Sequence, residues 1–337
     1  MSDDWVLRYD GFDPGAESLR EALCTLGNGY FAARGAAPES RADDVHYPGT
    51  YLAGGYNRLT TEIAGRSVEN EDLVNLPNWL SLTFRIDGGD WFDLATAELL
   101  GYSQELDLRK GLLVRRAMFA DQQGRRTRVA QRRLVHMQQL HVAGLQTTFL
   151  AENWSGELEI RSALDGRVVN GGVRRYRQLE GRHLQPLEQG AVGDEAVYLV
   201  AQTVQSRLVI AEAARTRVVG DGAVEPQARR LVAEPGLIGH ELSVQITQDQ
   251  PLTVEKIITL YSSRDHAIAE PGLEARTWIV RTDSFDELAA SHVLAWDQLW
   301  RRFDVTISAG NHRAQMILRL HLFHLLQTVS PNTIGLD

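Results

Sequence analysis

The stretch NLPNWL, residues 75–80, holds the residue types that a carbohydrate contact needs. Asn75 and Asn78 carry amides that can donate to and accept from hydroxyls. Trp79 offers a flat ring for the C–H-rich face of a sugar, and Pro77 stiffens the turn. Asn75, Asn78 and Trp79 are therefore the candidate substrate-binding residues. Trp79 equally fits the start of a buried strand, WLSLTF, and that structural role is the stronger reading, because an aromatic side chain at a strand start is usually core. A further role is a turn that packs on a neighbouring domain. Just upstream, RSVENEDLVN holds Glu69, Glu71 and Asp72. An inverting acid–base pair needs two carboxyls about 6.5–9.5 Å apart across a sugar. Proximity along the chain does not show that, and a solvated acidic loop ahead of a buried strand also accounts for them.

Other reactive spacings are scarce. The ten histidines show no H-E-x-x-H and no clustered ligand spacing, so no metal site is indicated. His321 and His324, one helical turn apart, either face a ligand or form the polar edge of a packed helix, which is the commoner case. No nucleophile elbow, phosphate loop or dinucleotide fingerprint occurs, so no cofactor is expected. The segment GRRTRVAQRR places arginines at 125, 126, 128, 132 and 133. They could form a polyanion patch, but Lys110 and Lys256 are the only lysines, so arginine supplies nearly all the cations and a solvated strand is the better reading.

The 337 residues carry a net charge of −9, which argues against nucleic acid or an anionic membrane as partner. No apolar run approaches bilayer length. The start, MSDDWVLRYD, lacks the basic and apolar regions of a signal peptide, so a cytoplasmic location is expected. The single cysteine, Cys24, excludes an internal disulfide framework.

The elements that must position these residues are mostly strands. Up to about residue 270, β-branched and aromatic segments such as GLLVRRAMFA, EAVYLVAQT and LTVEKIITLYSS alternate with turn residues, which predicts a large antiparallel β structure. Hairpin turns are expected at GNG (27–29) and at DGGD (87–90), where Gly88 and Gly89 can take positive φ. Residues 165–194, rich in Gly and charge, read as a long excursion between strands. The pattern changes at Thr282. Ser284 and Glu287 form a capping box, and Phe285, Leu288, Trp296, Leu299, Trp300 and Phe303 recur at helical spacing over roughly five turns. A second helix, capped by Asn311 and ended by Ser330–Pro331, is apolar on nearly every side except for His321, His324 and Gln327. Such a helix is expected to be buried all round, with its partners lying after Asp337.

Five segments in this order, ESLREALCTLGNGYFAARG, YPGTYLAGGYN, VNLPNWLSLTFRIDG, ALDGRVVNGGVRRY and LFHLLQTVSPNT, closely resemble the N-terminal part of glycoside hydrolase family 65. That family holds maltose, trehalose and kojibiose phosphorylases and acid trehalases. The resemblance implies a mainly β fold: an antiparallel β-super-sandwich over residues 1–275, a helical linker over 276–310, and over 311–337 the first helix of an (α/α)6 barrel. It implies an α-linked glucose disaccharide and phosphate as partners of the full-length enzyme, and homodimer contacts. Catalysis would invert the anomeric centre, with a glutamic acid as general acid and phosphate, or water activated by a second carboxylate, as nucleophile. Those groups are expected from segments after Asp337, so no catalytic residue is assigned. Two other functions compete: a self-standing carbohydrate-binding module, and a mutarotase-like enzyme that would need a paired His and Glu in a cleft.

Overall fold

The computed structural model describes residues 4–171, 178–220, 226–307 and 311–329. Among the described residues, eighteen strands form four antiparallel sheets, accompanied by four helices, and all are numbered here along the chain. The largest sheet has nine strands in the spatial order β1 (Val6–Asp10), β8 (Glu98–Asp107), β9 (Leu112–Ala120), β10 (Arg126–Val135), β11 (Val142–Ala151), β18 (Pro251–Ser262), β15 (Val209–Val219), β14 (Ala196–Thr203) and β13 (Leu184–Val192). A four-stranded sheet packs with it: β16 (Ala228–Glu234), β17 (Leu237–Ile246), β12 (Gly156–Asp165) and β7 (Leu82–Ile86). Three short strands, β2 (Leu26–Gly27), β3 (Phe31–Ala33) and β4 (Thr50–Leu52), form a third sheet, and β5 (Tyr56–Ile63) with β6 (Arg66–Leu73) form a two-stranded ribbon.

Strand β18, PLTVEKIITLYS, lies in the middle of the large sheet and is covered on both faces, which requires a nearly continuous apolar run. Leu252, Val254, Ile258 and Leu260 join the sandwich core with Leu158, Ile160, Leu242 and Val244 of the small sheet. Ile257 and Tyr261 point the other way, under helices α2 (Pro271–Arg281) and α3 (Phe285–Phe303), where Ala275, Ile279, Phe285 and Leu288 cover them. The mainly β super-sandwich expected from the sequence is thus present, with helices closing its outer face.

The turns follow local chemistry. At GNG, Gly29 takes φ +80° and the Asn28 side-chain oxygen accepts the backbone N–H groups of Tyr30 and Phe31 at 3.0 and 3.1 Å. At DGGD the left-handed positions are Asp87 and Gly88, one residue earlier than expected, because aspartate tolerates that region. The residues after this turn return to β7 through one backbone bond, Phe92 N–H to the Phe84 carbonyl at 2.7 Å, while the ladder of β7 is with β12. The excursion at 165–194 is shorter than expected, since β13 occupies Leu184–Val192; residues 172–177 lie outside the described residues. Helix α3 starts with the expected capping box. Helix α4 (His312–Thr328) is capped by Asn311, while Ser330 and Pro331 lie outside the described residues.

Candidate functional site

All three candidate sugar contacts are interior. Trp79 is fully enclosed, so neither face of its ring is open in this structure. The side-chain oxygen of Asn75 accepts the Thr50 N–H at 3.0 Å, while its own backbone N–H donates to the Asn170 side-chain oxygen at 2.9 Å. Asn78 caps its own turn by accepting the Leu80 N–H, and its backbone exchanges two bonds with Asp165 of β12. In this geometry the segment fastens β4 and β12 to the start of β7.

The acidic trio lies on β6 and not in a loop. Glu69 and Glu71 flank Arg58 of β5 at 3.6 and 3.2 Å, and Asp72 lies 3.4 Å from His183. The arginines of the basic stretch are individually engaged. Arg125 meets Asp87 and Asp121, Arg126 and Arg128 share Glu152, Arg132 reaches Asp286, and Arg133 is buried. A polyanion would have to compete with these carboxylates.

Two arrangements resemble catalytic pairs. His136 Nε2 lies 2.9 Å from Ser291 Oγ. However, His136 Nδ1 accepts the backbone N–H groups of Gln138 and Gln139, which puts the ring proton on Nε2. The ring therefore donates to the serine and cannot take its proton. Burial also pushes this imidazole down to about 4, a backbone hydrogen bond opposing, so it stays neutral at pH 7. The second pair is His46 and Glu21, 2.9 Å apart. Burial lowers the His46 pKa, but the Glu21 hydrogen bond and charge outweigh it, and the net shift is upward. This is the His–Glu pair a mutarotase would need, but both side chains are buried, with Phe12 stacked on the imidazole.

An open cleft does exist, with a volume of about 360 Å³, between the loop 89–98 and the turn 121–125. Phe84, Phe92 and Phe119 pack together at its floor, with centroid separations of 4.6–5.6 Å. Trp91 stands in its wall beneath the guanidinium groups of Arg85 and Arg161, 4.7 and 4.2 Å from the ring centre. Its size is that of a small-molecule pocket. Among its acids, Asp121 is held below the usual carboxylate range: burial raises it, but bonds from Arg125 and from backbone N–H groups outweigh that. The carboxyls whose pKa values burial raises, Glu17 and Glu212, are enclosed elsewhere.

The remaining surface of interest is α4. Its body-facing row is Gln315, Arg319, Phe323 and Gln327, at steps of four. Arg319 reaches Asp304 at 2.9 Å and Asp4 at 3.3 Å and covers the Trp5 ring, while Phe323 stacks on Trp296 at 4.6 Å. His324 donates from Nε2 to the Leu23 carbonyl oxygen at 3.1 Å, and His321 is exposed. The opposite row exposes Ile317, Leu325 and Val329 at 41%, 62% and 60%. The expectation of burial on nearly every side is thus corrected: Leu320 is buried beside the body-facing row, and Met316, Leu322 and Leu326 pack partly against the core, so α4 is covered on one side while its outer row, which includes the exposed His321, faces out.

Among the described residues no helix is long and apolar enough to cross a membrane. The family model described as "Glycosyl hydrolase family 65, N-terminal domain" matches residues 7–299. An uncharacterized glycosyl hydrolase of Mycobacterium tuberculosis is 46% identical over 99% of this chain and 25% of its own length. The trehalose 6-phosphate phosphorylase of Lactococcus lactis is 28% identical over 96% of this chain and 40% of its own length. The kojibiose phosphorylase of Caldanaerobacter subterraneus is 26% identical over 97% and 41%. A solved structure of a candidate kojibiose phosphorylase from the human microbiome superposes with TM-score 0.83 at 17% identity, over 97% of this chain and 42% of that one, which is a likeness of fold. The chain thus spans between a quarter and about two fifths of the length of these proteins. With a match over nearly all its strands and the helix α3, this chain belongs to glycosyl hydrolase family 65 and carries that family's N-terminal domain.

Proposed function

We propose that the chain is the non-catalytic N-terminal portion of a family 65 phosphorylase or hydrolase acting on α-glucosidic disaccharides. The observation that carries this reading is the outward side of α4 and its C-cap, where Ile317, Leu325 and Val329 stand exposed along with His321, on a helix whose other side is already anchored to the β body. A soluble surface does not favour such apolar residues, whereas the wall of a helical barrel does. On this reading residues 1–275 are the sandwich domain, 276–310 the linker, and 311–337 the opening of an (α/α)6 barrel that brings the general acid and the phosphate site. The printed names of the relatives, kojibiose phosphorylase and trehalose 6-phosphate phosphorylase, support the substrate class. Incubated with kojibiose or trehalose and phosphate, the chain is expected to release no glucose 1-phosphate. Release at the rate of those phosphorylases would overturn the reading.

A carbohydrate-binding module is the second reading, favoured by the aromatic-floored cleft. It calls for saturable binding of maltose or trehalose by calorimetry, abolished by Trp91→Ala. Heats indistinguishable from dilution remove it.

A further inference from the structure

Two buried histidines fasten the turn between β10 and β11 to helix α3. His136 Nδ1 accepts the N–H groups of Gln138 and Gln139 at 3.1 and 2.9 Å. His292 Nδ1, on α3, accepts the Met137 N–H at 3.1 Å. Three consecutive backbone donors of one turn thus end on two imidazole lone pairs. The opposite ring nitrogens donate, His136 Nε2 to Ser291 Oγ on α3 at 2.9 Å and His292 Nε2 to the Gly111 carbonyl at 3.0 Å. Gly111 lies in the turn between β8 and β9, so His292 ties two hairpin ends of the large sheet to one helix. The two ring centres are 5.5 Å apart.

A proton on either Nδ1 turns an acceptor into a donor that faces other donors. Protonating both would also set two cations side by side in the interior. The charged and titratable side chains on the surrounding elements are engaged elsewhere. Glu287 of α3 is held in its capping box, Asp107 pairs with Lys110, Arg109 lies over the Trp5 ring, and His141 meets the Leu260 carbonyl. Burial pushes His136 down to about 4 and His292 down to about 3; backbone carbonyls oppose the shift, and for His292 the neighbouring His136 adds to it. In the unfolded chain both rings titrate near 6.5. Their contribution to stability is therefore complete above about 6.5 and is lost as pH falls toward 4 and 3.

We propose that His136 and His292 form an acid-operated clasp, which holds α3 on the hairpin turns of the large sheet and releases it when the rings take protons. In hydrogen exchange on the unaltered chain, protection of the Met137, Gln138 and Gln139 amides and of α3 should fall by about tenfold or more from pH 7 to pH 5. His183, His240 and His324 are also shifted down but lie elsewhere, so the readout is local. The double variant His136→Asn, His292→Asn keeps an acceptor near each Nδ1 position and cannot titrate, so its loss over the same range should stay below about threefold. Equal loss in the variant and the unaltered chain overturns the proposal, as does unchanged protection of the unaltered chain at pH 5. If the double variant does not fold, the nitrogen chemical shifts of the two rings in the unaltered chain decide. Their protonation should coincide with the loss of α3 protection; a ring that becomes cationic while α3 stays protected overturns the proposal.

Discussion

Lys256→Ala is expected to lower the stability of the chain by about 3–5 kcal/mol in a urea titration at pH 7. Lys256 is fully buried and points into the sandwich with Val254 and Ile258. Its ammonium group donates to the carbonyl oxygens of Ser81 and Ala163 at 3.0 and 2.7 Å. A side chain of the large sheet thus bonds directly to the backbone of the small one. Alanine would remove both bonds and leave a void. Lys256→Met separates the two effects, since it keeps most of the volume and the Ser81 oxygen still receives the Ala163 N–H at 3.0 Å. More than half of the loss should return. If methionine recovered nothing, the hydrogen bonds and not the volume would be decisive.

Protons test the same residue. Burial pushes Lys256 down to about 7 from its ordinary 10.5, with Glu212 opposing. The unfolded chain keeps that proton up to about 10.5. The stability contribution of Lys256 is therefore fully present above about 10.5 and is lost as pH falls through about 7. Glu212 has the opposite sign. Both of its carboxyl oxygens are buried without partners, and burial raises its pKa well above 4.5, with Lys256 opposing. Its contribution is present below about 4.5 and is lost as pH rises through the folded value. Glu212→Gln should accordingly stabilise the chain more at pH 8 than at pH 5. Equal shifts in the denaturant midpoint at the two pH values would refute a neutral, buried acid.

Phe323→Ala should cost about 3–5 kcal/mol locally, whereas Leu325→Lys, two residues on, should stay within about 0.5 kcal/mol. The Phe323 ring is fully buried and stacks on Trp296, which continues to Trp300 at 5.9 Å and then to Trp5 at 5.0 Å. Beneath this stack Gly111 takes φ +65°, and a Cβ there would lie 2.0 Å from Trp296 Nε1, so only glycine fits. Leu325 is 62% exposed. Hydrogen exchange along α4 reads the contrast. Phe323→Ala should free its amides, and Leu325→Lys should leave them protected. Equal loss in both variants would show that the outward row is covered in solution.

What the sequence revealed and what it hid have the same root. Helix α3 was legible because its determinants are local: Ser284 and Glu287 are three residues apart, and Phe285, Leu288, Trp296 and Trp300 keep one face. Helix α2 was not, since it opens with Pro271–Gly272 and carries Thr277, Ile279 and Val280, poor helix formers that depend on the sheet beneath them. In α4 the apolar pattern marked a packed helix but not how it is anchored, because Arg319 and Gln315 take partners at Asp4, Asp304 and Val305 that no periodicity shows. Lys256 within VEKII looks like an ordinary strand lysine; its partners are 93 and 175 residues away. Asn75, Asn78 and Trp79 have the chemistry of a sugar contact, but both amide oxygens accept backbone N–H groups and Trp79 is enclosed.

Gln315 joins α4 to the segment that precedes it, accepting the Ile307 N–H at 2.7 Å and donating to the Val305 carbonyl at 2.8 Å. With Arg319 held on Asp304 in the same stretch, the approach angle of α4 to α3 is set before anything touches its outer row. A protein element arriving there would meet a rigid template instead of a tether, and little of its binding energy would be lost to ordering the surface it meets.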